Sequence, residues 1–479
     1  MGQAGIPSDT VATSPRVLIV CEHASARFGG EAALPLHYFR VLRNRGYAVW
    51  LITHARTRDE LRNLFPDEER IVYVEDTRLH QLMWRAARFL PAKLANFSVG
   101  FVSRLACQLE QRRLARRLIA AERIDIVHQP MPVSPREPSM MYGLGAPVII
   151  GPMNGGLDYP PAFRGNSPLI ERSFIHFGRW SASILNRLMP GKRRATFLLV
   201  ANSLTRRSLP SGVCSRIIEM VENGVDLSLW QPAPDREHQA SAALPITFLF
   251  LGRLIALKSV DLLLYAFERA SRQVSIRLIV AGDGPERSRL EALAGQLEIV
   301  SAPPARPGGV AFNGWLSQAD AAAELQRADC LVLPSVHDCG GAVVLEAMSA
   351  SKPVIATAWG GPRDYLDESC GVLVPPTSRQ ALIEGFSEAM VRLAKSPQTR
   401  HTMGRKGREK ILSHYDWELK VDRVLHIYQE ALGHDKSQIV HATGGRASQA
   451  AKLGKVQQDG LLQAPVVTPV DSRKDFKPQ

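Results

Sequence analysis

The chain has 479 residues, 45% apolar and 22% charged, which are globular proportions. That length exceeds one ordinary core, so two domains are expected, and no apolar run reaches the ~20 residues of a membrane-spanning helix. A net charge of +13 asks for an anionic partner: nucleic acid, anionic lipid or a phosphorylated substrate.

In chain order, residues 1–15 read as a flexible polar start without the basic lead of a secretory signal, so export is not expected. Residues 17–21 read as a strand and 24–30 as a loop ending in Gly29 and Gly30. A helix through Leu36, Phe39 and Leu42 follows, then a strand at 49–53. Strand, glycine loop, helix, strand opens a parallel α/β sheet. Between Arg78 and Arg117 lie Arg85, Arg88, Lys93, Arg104, Arg112, Arg113 and Arg116, opposed only by Glu110 and interleaved with large apolar residues. This pattern suits an amphipathic surface on an anionic membrane, or core helices with a solvated basic face. No recognised nucleic-acid motif accompanies it, so that partner is not expected.

Strands follow at 124–128, 147–151 and 197–201, and residues 16–230 form the expected first domain. Residues 231–244, rich in Pro, Ala and charge, read as a linker. A second alternation then fills 245–415: strands at 246–252 and 276–281 with helices at 260–270 and 286–294, then strands at 310–312, near Leu331 and at Val354. Helical patterns at 379–393 and 416–432 complete it, the last assigned as a helix returning to the first domain. Residues 433–479 lose apolar periodicity and read as a disordered tail.

The stretch 331–375 is the most informative. An apolar run ending at Pro334 leads to Asp338, Cys339, Gly340 and Gly341, then to a helical start through Glu346, Ala347 and Met348. A glycine turn opening a helix presents free N–H groups and a positive dipole end to an anion. The two carboxylates that straddle it accept hydrogen bonds from hydroxyls, so the whole suits a nucleotide-sugar. Arg253 and Lys258, after Gly252 at a strand end, are placed to neutralise a diphosphate, or are simply two surface cations. Gly282-Asp283-Gly284-Pro285 reads first as a structural turn on the same edge. The six cysteines are scattered without a CxxC pair, as in a cytosolic protein with reduced thiols. No Asp-x-Asp pair is present, and no metal is expected.

The series Gly252-Arg253…Lys258…Asp261, Ala281-Gly282-Asp283-Gly284-Pro285 and Asp338…Glu346-Ala347-Met348…Pro353-Val354 resembles a retaining GT-B glycosyltransferase of family 4. The resemblance covers roughly 16–432. A weaker one, through His128-Gln129-Pro130 and Gly151-Pro152-Met153-Asn154-Gly155-Gly156, is to members acting on exopolysaccharide or lipid-linked sugars. It implies an α/β fold of two doubly wound Rossmann-like domains facing across a cleft. Arg253 and Lys258 would bind the donor diphosphate, Glu346 the ribose and Asp338 the hydroxyls of the transferred sugar. Gly252, Gly340, Gly341, Ala342 and Val343 would line the phosphates, with Gly29 and Gly30 approaching from the first domain. His128 would lie beside the reacting sugar. Asn154, Gly155 and Gly156 would line the acceptor cleft, or form a structural turn.

The implied activity is transfer of a sugar from a nucleoside diphosphate sugar to a hydroxyl of a lipid-linked or polysaccharide acceptor, with retention. No cofactor is implied, and the expected location is cytoplasmic, peripheral on the membrane. A sugar-nucleotide epimerase and a non-catalytic sugar-nucleotide-binding subunit of a polysaccharide assembly complex remain the alternatives. Three departures stand out: Asp338 where the family usually has Glu, and Ser259 and Ser351 where it usually has Gly.

Overall fold

The computed structural model describes residues 14–28, 30–76, 92–164, 181–233, 245–302 and 305–433, with the backbone alone at 92–99. The expectations for Gly29, Arg78, Arg85, Arg88, most of the linker and the tail fall outside the described residues, as does the Lys93 side chain.

Two fully parallel sheets organise the chain. The first has seven strands: β1 (Val17–Val20), β2 (Val49–His54), β3 (Ile71–Val74), β4 (Ile126–Gln129), β5 (Val148–Met153), β6 (Phe197–Val200) and β7 (Ile217–Glu219). Their order is β3-β2-β1-β4-β5-β6-β7. The second has six: β8 (Ile246–Leu251), β9 (Ile276–Ala281), β10 (Val310–Gly314), β11 (Cys330–Leu333), β12 (Val354–Thr357) and β13 (Gly371–Val374), in the order β10-β9-β8-β11-β12-β13. Parallel strands need crossovers, and helices supply them on both faces. The short apolar strands show why. Val17 and Ile19 of β1 belong to one buried cluster and Leu18 and Val20 to another, so both faces of the sheet are covered. The core of the second lobe centres on Phe248, Phe250, Phe267, Leu331, Leu333 and Met348.

In each sheet the order reverses once, between β1 and β4 and between β8 and β11. Ligands of doubly wound sheets bind at that reversal, outside the carboxyl ends of the strands. The sequence reading omitted β3, β7 and β13, each of three or four residues. All three lie at sheet edges and are only partly buried, so they lack the continuous apolar run that marks the equally short but fully buried β1 and β6.

Helix Trp417–Ala431 crosses back to the first lobe. Trp417, Val421, Val424 and Tyr428 lie in the cluster that holds Val17, Ile19, Tyr38 and Phe39. Arg45 fastens its outer face, pairing with Glu418 and Asp422 at 2.6 Å each.

Candidate active site

The carboxyl ends of β8 and β11 bring the predicted donor residues together. β8 ends at Leu251 and Gly252. Arg253 follows with an exposed side chain that has no protein partner among the described residues. A short 3-10 turn, Ala256–Lys258, then aims Lys258 across the reversal point. Lys258 Nζ meets Asp338 Oδ2 at 2.5 Å, and the two side chains are 17% and 13% exposed. The other oxygen, Asp338 Oδ1, accepts from Gly341 N–H at 3.0 Å and closes the glycine turn. Asp338 is thus both an ion-pair partner of the cation and the brace of the turn.

Gly341, with φ of 58°, precedes helix Ala342–Ser349. That backbone conformation suits glycine and opens the helix without a side-chain cap. The N–H groups of Gly340, Ala342 and Val343 have no acceptor among the described residues, so they remain available to an anion. Glu346 projects one helical turn further on. Its carboxylate has no partner among the described residues, and desolvation pushes it up to about 7. The following turn is packed tightly beneath: Gly361 N–H donates to Asp338 O at 2.9 Å, and Gly360, at φ of 66°, leaves no room for a Cβ against that carbonyl.

Gly282 and Gly284 serve the same kind of close approach. A side chain at either would strike the backbone of Gly252 or Leu254, and Leu254 N–H donates to Asp283 O at 2.9 Å. The Gly-Asp-Gly-Pro turn therefore buttresses the Arg253 loop.

The amino-terminal lobe behaves differently. Gly30 opens the first helix with free space where a Cβ would stand. His128, expected beside the reacting sugar, is instead 0% exposed. Its Nδ1 is 2.7 Å from Tyr428 Oη and its Nε2 is 2.7 Å from Gly151 O. Burial lowers its pKa to about 4, so the ring is neutral, and both nitrogens are committed. In this structure neither ring nitrogen of His128 is free to meet a sugar. Asn154 uses its amide across the lobe boundary, donating Nδ2 to Cys339 O at 2.8 Å. Gly155 and Gly156 press against Pro135 and Ser208, with no room for a side chain. Asn154 thus joins the lobes, while Gly155 and Gly156 pack within the first.

Further contacts close the same boundary: His337 Nε2 lies 3.0 Å from Leu157 O, and Trp359 Nε1 donates to Asp158 O at 2.8 Å. Glu222, which the sequence reading passes over, reaches the boundary from the turn after β7. It is 6% exposed, packs against Gly340, and has one oxygen without a partner. The available signal was a carboxylate directly before the Asn223-Gly224 turn.

The basic segment is partly bound inward. Arg104 pairs with Glu137 at 2.8 Å, Arg112 stacks 3.9 Å over Tyr142, and Arg116 donates to Gly143 O at 3.1 Å. Arg113 and Arg117 stay exposed, with Val102 and Leu109. No described helix is long and apolar enough to cross a membrane.

Residues 234–410 match the family described as "Glycosyl transferases group 1". The chain is 30% identical over 248 residues to D-inositol 3-phosphate glycosyltransferases of Mycobacterium tuberculosis (strain ATCC 25618 / H37Rv) and Mycobacterium bovis (strain ATCC BAA-935 / AF2122/97), covering 50% of this chain and 49% of each relative. It thus spans about half the length of the curated relatives it matches (49%). A glycosyltransferase from Rickettsia africae ESF-5 superposes with a TM-score of 0.59 at 15% identity, over 88% of this chain and 100% of that one. Anabaena Alr3699/HepE in complex with UDP gives 0.58 at 14%, over 87% and 100%. At such identities the likeness is one of fold, and the fold is GT-B: two Rossmann-like lobes, the second containing most of the stretch that matches the group 1 family.

Proposed function

We propose that the protein is a retaining glycosyltransferase of the hexosyl type. It moves a sugar from a nucleoside diphosphate sugar to a hydroxyl of a lipid-linked or polysaccharide acceptor. The observation that carries this reading is the carboxyl edge of β8 and β11. There a free guanidinium, an ammonium held by a short carboxylate, unpaired N–H groups at a helix start and an unpartnered Glu346 stand together. The relatives matched over about half their length (49%) are inositol phosphate glycosyltransferases by name, and a structural neighbour was solved with UDP; both support a nucleotide-sugar donor.

Departure of the diphosphate is the costly event in such a transfer. Arg253, Lys258 and the Gly340–Val343 amides would stabilise the charge that develops on it, without a metal. Arrival of the diphosphate would draw Lys258 away from Asp338 and release that carboxylate for sugar hydroxyls. The acceptor would attack from the face the diphosphate leaves, its proton passing to the departing oxygen. The exposed Arg113, Arg117, Val102 and Leu109 support a peripheral site on an anionic cytoplasmic membrane face, which flotation with phosphatidylserine liposomes tests.

The decisive experiment incubates the protein with UDP-, GDP- and ADP-sugars, with and without a lipid-linked oligosaccharide, and follows nucleoside diphosphate release and product mass. Acceptor-dependent release with a mass gain of one hexose is expected. Conversion of the donor alone into another sugar nucleotide would make the protein an epimerase, and binding without turnover would leave a non-catalytic subunit.

A further inference from the structure

Glu222 lies on the amino-terminal lobe and carries a buried oxygen that the protein does not satisfy. Its Oε1 accepts from Asn223 Nδ2 at 3.1 Å, while Oε2 has no hydrogen-bond partner among the described residues. Buried polar atoms are nearly always bonded, so an unbonded carboxylate oxygen at 6% exposure calls for an outside donor. Its position says which. The carboxylate packs on Gly340, in the turn that presents amides to the diphosphate, and a side chain at 340 would run into it.

Asn154 and Lys420 face the carboxylate and favour its charge, while Glu31 and Asp338 oppose it; Tyr38, Cys339 and Tyr365 lie alongside. Tyr38 Oη is itself buried without a partner. Burial pushes the Glu222 carboxyl up to about 7. A phosphate would be repelled by Asp338, Glu31 and Glu222 together, whereas a neutral hydroxyl supplies the missing donor.

We propose that Glu222 is a specificity-determining residue of the transfer site, its free Oε2 accepting a hydroxyl of the sugar carried by the nucleoside diphosphate. The inference rests on the nucleotide-sugar reading of the cleft and assigns a residue from the opposite lobe to the sugar rather than to the phosphates.

Calorimetry on the full chain tests this. UDP, GDP and ADP are titrated first, then UDP-glucose, UDP-galactose, GDP-mannose and ADP-glucose, against wild type, Glu222→Met, Glu222→Ala and Glu222→Gln. Met keeps the volume and removes both oxygens; Gln keeps one acceptor. For the nucleotide that wild type binds, Glu222→Met and Glu222→Ala should keep the affinity for the bare diphosphate within about twofold. Both should lose about tenfold for the sugar conjugate, the size of one hydrogen bond to a charged group. Glu222→Gln should lose less, and thermal melts establish that each variant is folded. Equal affinity of all variants for the conjugate overturns the inference, as does an equal loss for nucleotide and conjugate, which marks a structural role. If wild type binds no nucleotide, the transfer reading fails and this inference with it. If wild type binds and Glu222 is irrelevant, only this inference fails.

Discussion

At the reversal point of the second sheet, Arg253, Glu346 and the amides of Gly340, Ala342 and Val343 stand without partners among the described residues. At the matching point of the first sheet, both nitrogens of His128 are bonded inside the protein. The strand order is alike on the two sides, yet several polar groups stay free at the second reversal point, whereas His128 at the first is committed to the protein's own core. Fold symmetry therefore does not distribute chemistry evenly. The second lobe holds the donor-shaped groups, and the first meets them with Asn154, Leu157, Asp158 and Glu222.

The largest effect that probes this contrast is loss of the cation. Lys258→Ala should lower turnover by roughly a hundred- to a thousandfold, as expected for removing a charge that stabilises a leaving group. Nucleoside diphosphate release measures it, and a variant with ordinary turnover would erase the difference between the lobes. Glu346→Ala should weaken donor binding by about tenfold or more in calorimetry, if the buried carboxyl is the acceptor for a donor hydroxyl that the proposed function requires. His128→Asn reads the other side of the comparison. Its expected result is a melting point lower by several degrees, from about 2 kcal/mol of lost buried bonding, with less than a tenfold fall in turnover per folded molecule. A thousandfold fall with an unchanged melt would return His128 to the chemistry.

Titration sharpens the same contrast. The carboxyls of Glu346 and Glu222 sit near 7 in the folded chain against an ordinary 4.5. Between those values the native state holds protons that the unfolded chain releases. Their contribution to stability is full below the ordinary value and is lost as pH rises through about 7. His128, lowered to about 4 from 6.5, works oppositely, stabilising above its ordinary value and failing as pH falls toward 4. In Glu346→Gln, the drop in melting temperature from about pH 5 to about pH 8 should shrink by roughly 2 °C or more. An unchanged drop would mean that Glu346 is better solvated than its surroundings indicate.

The smallest effects concern two serines. Ser259 and Ser351 both adopt left-handed backbone, with φ of 50° and 58°. Glycine relieves that strain but adds freedom to the unfolded chain, so Ser259→Gly and Ser351→Gly should each stabilise by about 0.5–1 kcal/mol, read from thermal melts. Both departures were visible in the sequence as serines at positions where the family usually has glycine.

The second lobe was legible because its site is local. Gly252 to Lys258 and Asp338 to Glu346 are each one strand end, one turn and one helix start, so spacing alone sets which groups face the reversal point. The first lobe was legible as a fold, through the apolar runs of β1, β2, β4, β5 and β6, but not as a site. What decides the role of His128 is Tyr428, three hundred positions along, and nothing in the neighbourhood of His128 announces it. Glu222 likewise matters only through Gly340, a residue of the other lobe. Relations of that range arise from lobe packing, which no local periodicity encodes.

Helix Trp417–Ala431 has a consequence for how the chain comes to exist. The first sheet, made before the second on the ribosome, has a face that Tyr38, Phe39 and Leu42 cover from the first helix and that Trp417, Val421, Val424 and Tyr428 complete. Until those residues emerge, Tyr38 and His128 lack their roof, so the nascent amino-terminal half waits, partly uncovered, through synthesis of the whole second lobe. A protein cut before Trp417 should for that reason keep an intact second sheet yet aggregate through its first.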